Sequence, residues 1–597
     1  MNSIVEERVA EWLTAAYDPE TRAEIKDLRE KKEIQELNDR FYCDLDFGTG
    51  GLRGLIGAGT NRMNKYVVRK ATQGLANYIN QQRSGVSQSA VIAFDSRIKS
   101  DEFAREAAAV LCANGIKVYL FKELRPTPEL SFAVRELKAT AGIVITASHN
   151  PKEYNGYKVY WDDGAQVVPP HDRNIINEVR AIQAVNQVKW MDLGEAQERN
   201  LLIYLGSEVD EKYFQAICQL AIHPDLIQRQ GQALTIVYSP LHGTGGRLLP
   251  KLLERLGFQR VFVVPEQLNP DGRFPTVKSP NPEEAEALNL SIKIAKEKKA
   301  DLVLATDPDS DRLGIAVQDE QGQFVLLNGN QIASLMASYI IEQQKIIGRL
   351  PSNPVLVKSI VTTELLKAIG AYNGIETVEV LTGFKYIGQK IREYETLQPK
   401  SGIRKNFIFG GEESYGYLTG TYCRDKDALG SACMISEMAL FLKLKGWSLY
   451  RFLIEIYKKY GYYREHLKSI TIQGQEGLNK IEGIMKELRQ NPLRELAGEG
   501  VREIMDLEQG QVLDGSSGQI LRRVDLPRSN VLIYLLKDGS KITLRPSGTE
   551  PKIKFYFSAV ENGILPMTEA TLLRAQKATQ QKVDSLIQSL MQVIGEG

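Results

Sequence analysis

Three segments of this chain repeat one order of parts, and that repetition constrains the fold more than any other feature. Each begins with a short apolar run entering a polar loop: "AVIAFDSR" (90–97), "LTIVYSPLHGTGG" (234–246) and "PVLVKSIVTT" (354–363). A helical pattern follows each loop. Phe103, Ala107, Val110 and Leu111 share one face in the first, and Leu248, Leu249, Leu252, Leu253 and Leu256 in the second. Leu365, Leu366 and Ile369 do so in the third. Each helix stops at a glycine, Gly115, Gly257 or Gly374, which opens a second β-rich run. Glycine is favoured just past a helix end because the left-handed conformation there carries no Cβ penalty. A further apolar run then ends in a loop rich in chemical groups: "TASHNP" (146–151), "TDPDSDR" (306–312) and "GGEES" (410–414). Strands alternating with helices imply mostly parallel sheets with helices on both faces. In such sheets ligands bind beyond the carboxyl ends of strands, where these three loops lie.

The remaining segments differ. Residues 1–40 read as charged helical segments without site chemistry. "DGSSGQILRR" (514–523) is Gly-rich and less periodic, and two β-rich runs within 530–560 are joined through "KDGSK", where Asp-Gly suits a tight antiparallel hairpin. The tail from Met567 to Ile594 is helical in pattern. With 597 residues the chain exceeds a single hydrophobic core, and its length suggests about three to five domains.

Composition excludes several functions. The formal net charge is +1, so nothing calls for nucleic acid or an acidic membrane surface, and phosphate chemistry must come from local clusters. Cys43, Cys112, Cys218, Cys423 and Cys433 show no CxxC spacing, which reads as reduced thiols in a cytosolic protein. "MNSIVEERVAEWL" has acidic residues where a signal peptide needs basic and then apolar ones. No apolar run approaches the roughly 18–20 residues that span a bilayer. The expectation is a soluble cytoplasmic protein, a monomer or weak oligomer.

"DPDSDR" sets Asp307, Asp309 and Asp311 at alternate positions, so an extended loop turns three carboxylates the same way. Such carboxylates repel one another unless a cation sits among them, and hard oxygen ligands favour Mg²⁺ or Ca²⁺. A calcium EF-hand needs Gly at position 6 and Glu at position 12, where this chain has Arg312 and Gln318. A dehalogenase-type Asp nucleophile also follows an apolar strand, but a third Asp followed by Arg is unexpected there. "RPSGTEP" (545–551) offers Arg545, Ser547, Thr549 and the amides around Gly548 as a nest for a phosphate. "GTGGLRG" (48–54) and "HGTGGR" (242–247) lack the Walker A spacing; the first presents Arg53 to an anion. The carboxylates of "GEES" suit sugar hydroxyls or a solvated turn. Ser148 needs a base or a metal to act. His149 is its sequence neighbour, so on an extended loop the two side chains diverge, and a Ser-His-Asp triad is poorly supported.

Together "TASHNP", "DPDSDR", "GEES" and "RPSGTEP", in this order and over about residues 45–560, resemble the α-D-phosphohexomutase superfamily. The length, the N-terminal extension and "GTGGLRG" look most like its longer phosphoglucomutases, grouped with phosphopentomutase and glucose-1,6-bisphosphate synthase. The resemblance implies an α/β fold of three similar mixed α/β domains plus a smaller α+β C-terminal domain around a central cleft, which agrees with the threefold repeat. The expected segments are 1–40, 41–205, 206–325, 326–455 and 456–597. It further implies Ser148 as phosphocarrier and, with Asp307, Asp309 and Asp311, as Mg²⁺ ligand. Arg312 would contact phosphoserine or substrate, and Glu412 and Ser414 sugar hydroxyls. Arg545, Ser547, Gly548 and Thr549 would hold the distal phosphate, and Arg53 and Lys385 would lie near the sugar phosphate. His149 and Lys158 match proton-transfer positions; as a base, Lys158 needs a pKa lowered by nearby cations. Glu413 does not settle the sugar.

The expected activity is exchange of glucose 1-phosphate and glucose 6-phosphate, with glucose 1,6-bisphosphate as intermediate and activator. Rivals are the sister activities, a metal-dependent phosphatase and a non-catalytic phosphosugar sensor.

Overall fold

The computed structural model describes residues 3–45, 51–82, 87–396, 402, 404–472, 474–547, 552–561 and 563–595. The chain forms two compact units. One comprises Met1–Gly329, Gly383–Lys400 and Ser414–Gly446, and the other Asn330–Thr382, Ser401–Glu413 and Trp447–Gly597.

In the first unit, helices Ser3–Trp12, Pro19–Glu30 and Ile34–Phe41 enclose a core of Trp12, Tyr17, Ile25, Leu37, Phe41 and Tyr66. Asp18 caps the second helix by accepting from the amides of Glu20 and Thr21, satisfying donors that a helix start leaves open.

The repeat predicted from the sequence is present, with one strand order each time. Ser89–Phe94 lies between Lys117–Phe121 and Ala141–Ile145, parallel to both. Thr235–Ser239 lies between Arg260–Val263 and Leu302–Thr306, again parallel to both. In the second unit, Pro354–Ser359 lies between Glu376–Val380 and Asn406–Glu412 in the same sense. The central strands are apolar away from their ends and buried over most of their length, as expected where helices cover both faces. The glycines ending the three helices have φ of +77°, +117° and +67° at Gly115, Gly257 and Gly374, so the sequence reading of a left-handed stop holds. Antiparallel additions make the sheets mixed: Tyr154–Trp161 beside Ala141–Ile145, and Leu313–Gln318 beside Leu302–Thr306.

The C-terminal part of the second unit holds an antiparallel sheet. It runs in the order Tyr462–Thr471, Lys552–Glu561, Lys541–Pro546, Leu532–Leu536, Glu499–Asp506, Gln511–Asp514, Ile520–Arg523. The expected hairpin pairs Leu532 with Leu544 through Leu535 with Lys541. The stretch read as irregular around 514–523 is a second hairpin, Gln511–Asp514 with Ile520–Arg523. Its strands are short and half exposed, so periodicity gives little signal. The turn is closed by Asp514, whose carboxylate accepts from the amides of Ser516 and Ser517. Helix Glu569–Val593 packs Val583, Leu586, Leu590 and Met591 into this core, each worth about 1.5–3 kcal/mol when fully buried. Among the described residues no helix is long and apolar enough to cross a membrane.

Candidate active site

Ser148 stands just past strand Ala141–Ile145 with a φ of +52°. That left-handed backbone breaks the alternation of an extended chain, which corrects the expectation that Ser148 and His149 diverge. His149 Nδ1 lies 3.2 Å from Ser148 Oγ. The serine hydroxyl donates to Asp307 Oδ2 at 2.7 Å. A hydroxyl has one proton, so with it on Asp307 the imidazole Nδ1–H is the donor toward Ser148 Oγ. That arrangement is not a base-activated triad. Burial, with Arg312 and Arg53 nearby, holds His149 well below the ordinary imidazole pKa, so the ring is neutral.

The aspartate loop is also not extended. Ser310 has a φ of +52°, and Asp307 Oδ1 accepts from the amides of Asp311 and Arg312 at 3.0 Å each. This tight turn, and not strand alternation, gathers the carboxylates. Asp307, Asp309 and Asp311 are buried and offer oxygens within 4.8 Å of one another, the only such cluster among the described residues. Neighbouring loops hold the turn in place. Thr127, first residue of helix Thr127–Glu136, donates through its amide to Asp309 O at 2.9 Å and through its hydroxyl to Asp309 Oδ2 at 2.8 Å. The "HGTGG" loop lies against it so closely that a Cβ on Gly243 would meet Pro308 Cα at 2.4 Å.

The donor set fits a hard divalent cation. Asp309 Oδ1 and Asp311 Oδ1 are buried and accept no hydrogen bond, a cost that a bound cation removes. Electrostatics point the same way. Burial and the two neighbouring carboxylates push Asp307 well above the usual carboxylate range. Burial raises Asp309 and Asp311 as well, and the Asp311 charge adds to it at Asp309. The Lys158 charge with hydrogen bonds from Asp307 and Lys158 together lower Asp309, and Lys426, Lys158 and Arg312 together lower Asp311, so both end below their usual range.

Lys158 Nζ lies 2.8 Å from Asp309 Oδ2 and 3.3 Å from Asp311 Oδ2. Burial works against its charge, yet these carboxylates raise its pKa. The lowered value expected for a base is not what this geometry produces, because the nearest charges are anions. Lys426, 2.8 Å from Asp311 Oδ2, belongs to the same group and was missed in the sequence. Its signal was the charged run "CRDKDA" before helix Ala428–Leu444, whose N-cap is Asp427. Arg312 donates to Ser414 O at 2.9 Å and pairs with Glu283 at 2.5 Å. Arg53 donates to Asn150 Oδ1 on the serine loop at 3.0 Å. Lys385 is buried and pairs with Asp172 at 3.8 Å; burial lowers its pKa.

In the second unit, Glu412 ends strand Asn406–Glu412 and Arg545 lies in strand Lys541–Pro546. Both influence Tyr556: burial, Glu413 and Glu412 raise its phenol pKa, against Arg545, which hydrogen-bonds to it. Glu413 accepts from Ser359 Oγ at 3.1 Å and Thr362 Oγ1 at 3.3 Å, tying the "GGEES" loop to the end of the central strand. Ser547 N donates to Lys552 O at 2.7 Å. Gly548 and Thr549 lie outside the described residues.

Comparison with known proteins gives three consecutive family matches, described as phosphoglucomutase/phosphomannomutase alpha/beta/alpha domains I, II and III. They cover residues 44–186, 211–322 and 328–460. A phosphoglucomutase of Staphylococcus aureus strain MRSA252 is 40% identical over 550 residues, 92% of this chain and 94% of that one. Among solved structures, the open form of the exocytosis-sensitive phosphoprotein parafusin (a phosphoglucomutase) from Paramecium matches with a TM-score of 0.65. It is 18% identical and covers 91% of this chain and 95% of its own. A phosphoglucomutase/phosphomannomutase family protein from Burkholderia thailandensis matches with a TM-score of 0.60 at 20% identity, covering 89% and 97%. The solved structures speak for the fold alone, whereas the domain matches and the identity along nearly the whole chain speak for descent. The chain belongs to the phosphoglucomutase/phosphomannomutase family of the α-D-phosphohexomutase superfamily.

Proposed function

We propose that this chain interconverts α-D-glucose 1-phosphate and glucose 6-phosphate through a phosphorylated Ser148, with glucose 1,6-bisphosphate as intermediate and as the activator that restores a dephosphorylated serine. The observation that carries this reading is the serine hydroxyl 2.7 Å from a buried carboxylate of a three-aspartate cluster. Asp307, Asp309 and Asp311 would hold Mg²⁺, together with an oxygen at Ser148. Bound there, Mg²⁺ supplies charge neutralisation for the phosphoryl group.

The chain's own groups do the rest by positioning and charge, which dominate phosphoryl transfer. In the first half, the sugar O6 displaces Ser148 Oγ at phosphorus: the O6–P bond forms and the Oγ–P bond breaks. The proton that O6 gives up must reach Oγ. Neutral His149, with Nδ1 3.2 Å from Oγ, is placed to relay it, accepting a proton at Nε2 as Nδ1 gives one, and to run the relay in reverse when Oγ attacks in the second half. The Lys158 ammonium stands beside the carboxylates that surround the reacting oxygens. Arg312 and Arg53 border the serine loop and provide guanidinium forks for phosphate. Glu412 and Ser414 would orient the sugar hydroxyls, and Arg545, Ser547, Gly548 and Thr549 the phosphate that is not transferred. The unpaired thiols suit the reducing conditions of the cytoplasm, where we place the enzyme.

Intact mass and peptide mapping of the purified protein test this. Phosphate on Ser148, and a Ser148→Ala variant that binds sugar phosphate without turnover, are expected. Phosphate confined to another residue, or wild-type turnover in Ser148→Ala, would overturn the proposal.

A further inference from the structure

The loop carrying Ser148 holds this serine in the left-handed region, at φ +52°. That conformation costs of order 1 kcal/mol or more for a residue with a Cβ, so something outside the loop must impose it. The grip comes from Arg97, in the "FDSR" loop that follows the central strand Ser89–Phe94. Its side chain is fully buried. Nη2 donates to Ser148 O at 2.6 Å and also to Asn150 O. Nη1 donates to Pro151 O at 2.8 Å and to Tyr154 O at 3.1 Å. One planar guanidinium therefore ties four carbonyls, and its hydrogen bonds to the loop go to backbone alone. The geometry is out of reach of a lysine, whose three donors radiate from a point.

The guanidinium is itself fixed. It stacks over the Phe274 ring at 5.1 Å and lies 3.4 Å from Asp95 Oδ2. Asp95 extends the same restraint to the loop amide: Oδ2 accepts from Thr146 Oγ1 at 2.7 Å, and Thr146 Oγ1 accepts from Ser148 N at 2.8 Å. Both faces of the Ser148 backbone are thus held from the "FDSR" loop, the carbonyl by Arg97 and the amide by Asp95 through Thr146.

We propose that Arg97 is a positioning residue for phosphoryl transfer, fixing the left-handed Ser148 so that its oxygen is aimed at the aspartate cluster, and that Asp95 and Thr146 complete the hold. Arg97 meets the loop only from behind, through backbone carbonyls, so the effect falls on the chemical step and not on sugar phosphate affinity.

This rests on the reading of Ser148 as phosphocarrier, and the test separates the two. In Arg97→Lys, kcat is expected to fall about 100-fold, the scale set by an ångström of misplacement. KM for glucose 1-phosphate is expected to stay within about threefold, with the substrate groups untouched. Thr146→Val, which removes only the amide hold, is expected to lower kcat about tenfold, a smaller misplacement by the same reasoning. Should Arg97→Lys fail to fold, Thr146→Val decides alone. Wild-type kcat in a folded Arg97→Lys, or in Thr146→Val, overturns the inference. So does a loss of activity that matches the unfolded fraction measured by circular dichroism. None of these results bears on the phosphocarrier, which fails only if Ser148→Ala remains active.

Discussion

Replacing Glu364 by Gln should destabilise the second unit far more than replacing Lys541 by Met, although the two residues are partners. Lys541 begins the strand that carries Arg545, and Glu364 stands at the start of helix Leu365–Tyr372, so their contact fastens that strand to the third repeat. The group around them holds three lysines and two glutamates. Lys358 Nζ lies 3.1 Å from Glu364 Oε1 and 2.9 Å from Glu379 Oε1. Lys367 Nζ lies 2.9 Å from Glu364 Oε2 and 2.7 Å from Glu379 Oε2. Lys541 contacts Glu364 Oε1, lies 3.8 Å from Glu379 Oε1 and donates to Ile360 O at 2.8 Å.

Removing Glu364 leaves three ammonium groups on one carboxylate, two of them buried. An uncompensated buried charge of this kind costs about 3–5 kcal/mol. Removing Lys541 leaves two cations on two anions, relieves repulsion from Lys358 and forfeits mainly hydrogen bonds, about 1–2 kcal/mol. For a unit of roughly 200 residues, about 2–4 °C per kcal/mol puts the Glu364→Gln shift at about 6–20 °C and the Lys541→Met shift at a few degrees. Calorimetry at pH 7 reads both, with hydrogen exchange over 354–382 and 532–546 locating the weakened region. The pH dependence has a definite sign. Burial pushes Glu364 up, but Lys358, Lys541 and Lys367 overcome it and hold its carboxyl below the usual range. Its contribution is therefore complete above about pH 4.3 and is lost as pH falls toward the depressed folded value. The difference between wild type and Glu364→Gln should narrow only in acid. An equal or larger loss in Lys541→Met would refute the charge count.

Two further outcomes are expected. Exhaustive chelation should abolish turnover, and Asp309→Asn should cut kcat far more than it weakens sugar phosphate binding, since its oxygens are proposed to hold the cation that serves the transferred group; full activity after chelation contradicts the metal assignment. Glu129 is buried, and burial, the Asp210 charge and a hydrogen bond to Asp210 raise it well above the usual range despite Arg125 at 3.9 Å. The folded state thus holds this proton more tightly, and stability falls by about 1.4 kcal/mol per pH unit as pH rises from about 4.3 to the folded pKa. Glu129→Gln removes that slope, so its Tm should gain on wild type between pH 5 and pH 8, and parallel Tm profiles refute the assignment.

The threefold repeat, the glycine stops and the chemical loops at strand ends were legible in the sequence because they are local. Apolar runs, helical periodicity and a left-handed stop each depend on a few adjacent residues. The four loop motifs in order were enough to indicate the family. What the sequence concealed depends on backbone conformation and distant approach. Ser148 and His149 are neighbours that alternation sends apart, and one residue with a φ of +52° brings their side chains to 3.2 Å. The aspartates converge through a turn, not through an extended run. Lys158 reads as a base among cations until folding places it between Asp309 and Asp311, 151 and 153 residues away, which hold it as an ammonium ion. Lys426 and Arg97 carry no motif of their own. One reaches Asp311 from 115 residues away and the other grips four carbonyls. Charge and hydrogen bonding act through space over a few ångströms, so only the tertiary structure could decide which groups share a site and in what protonation state.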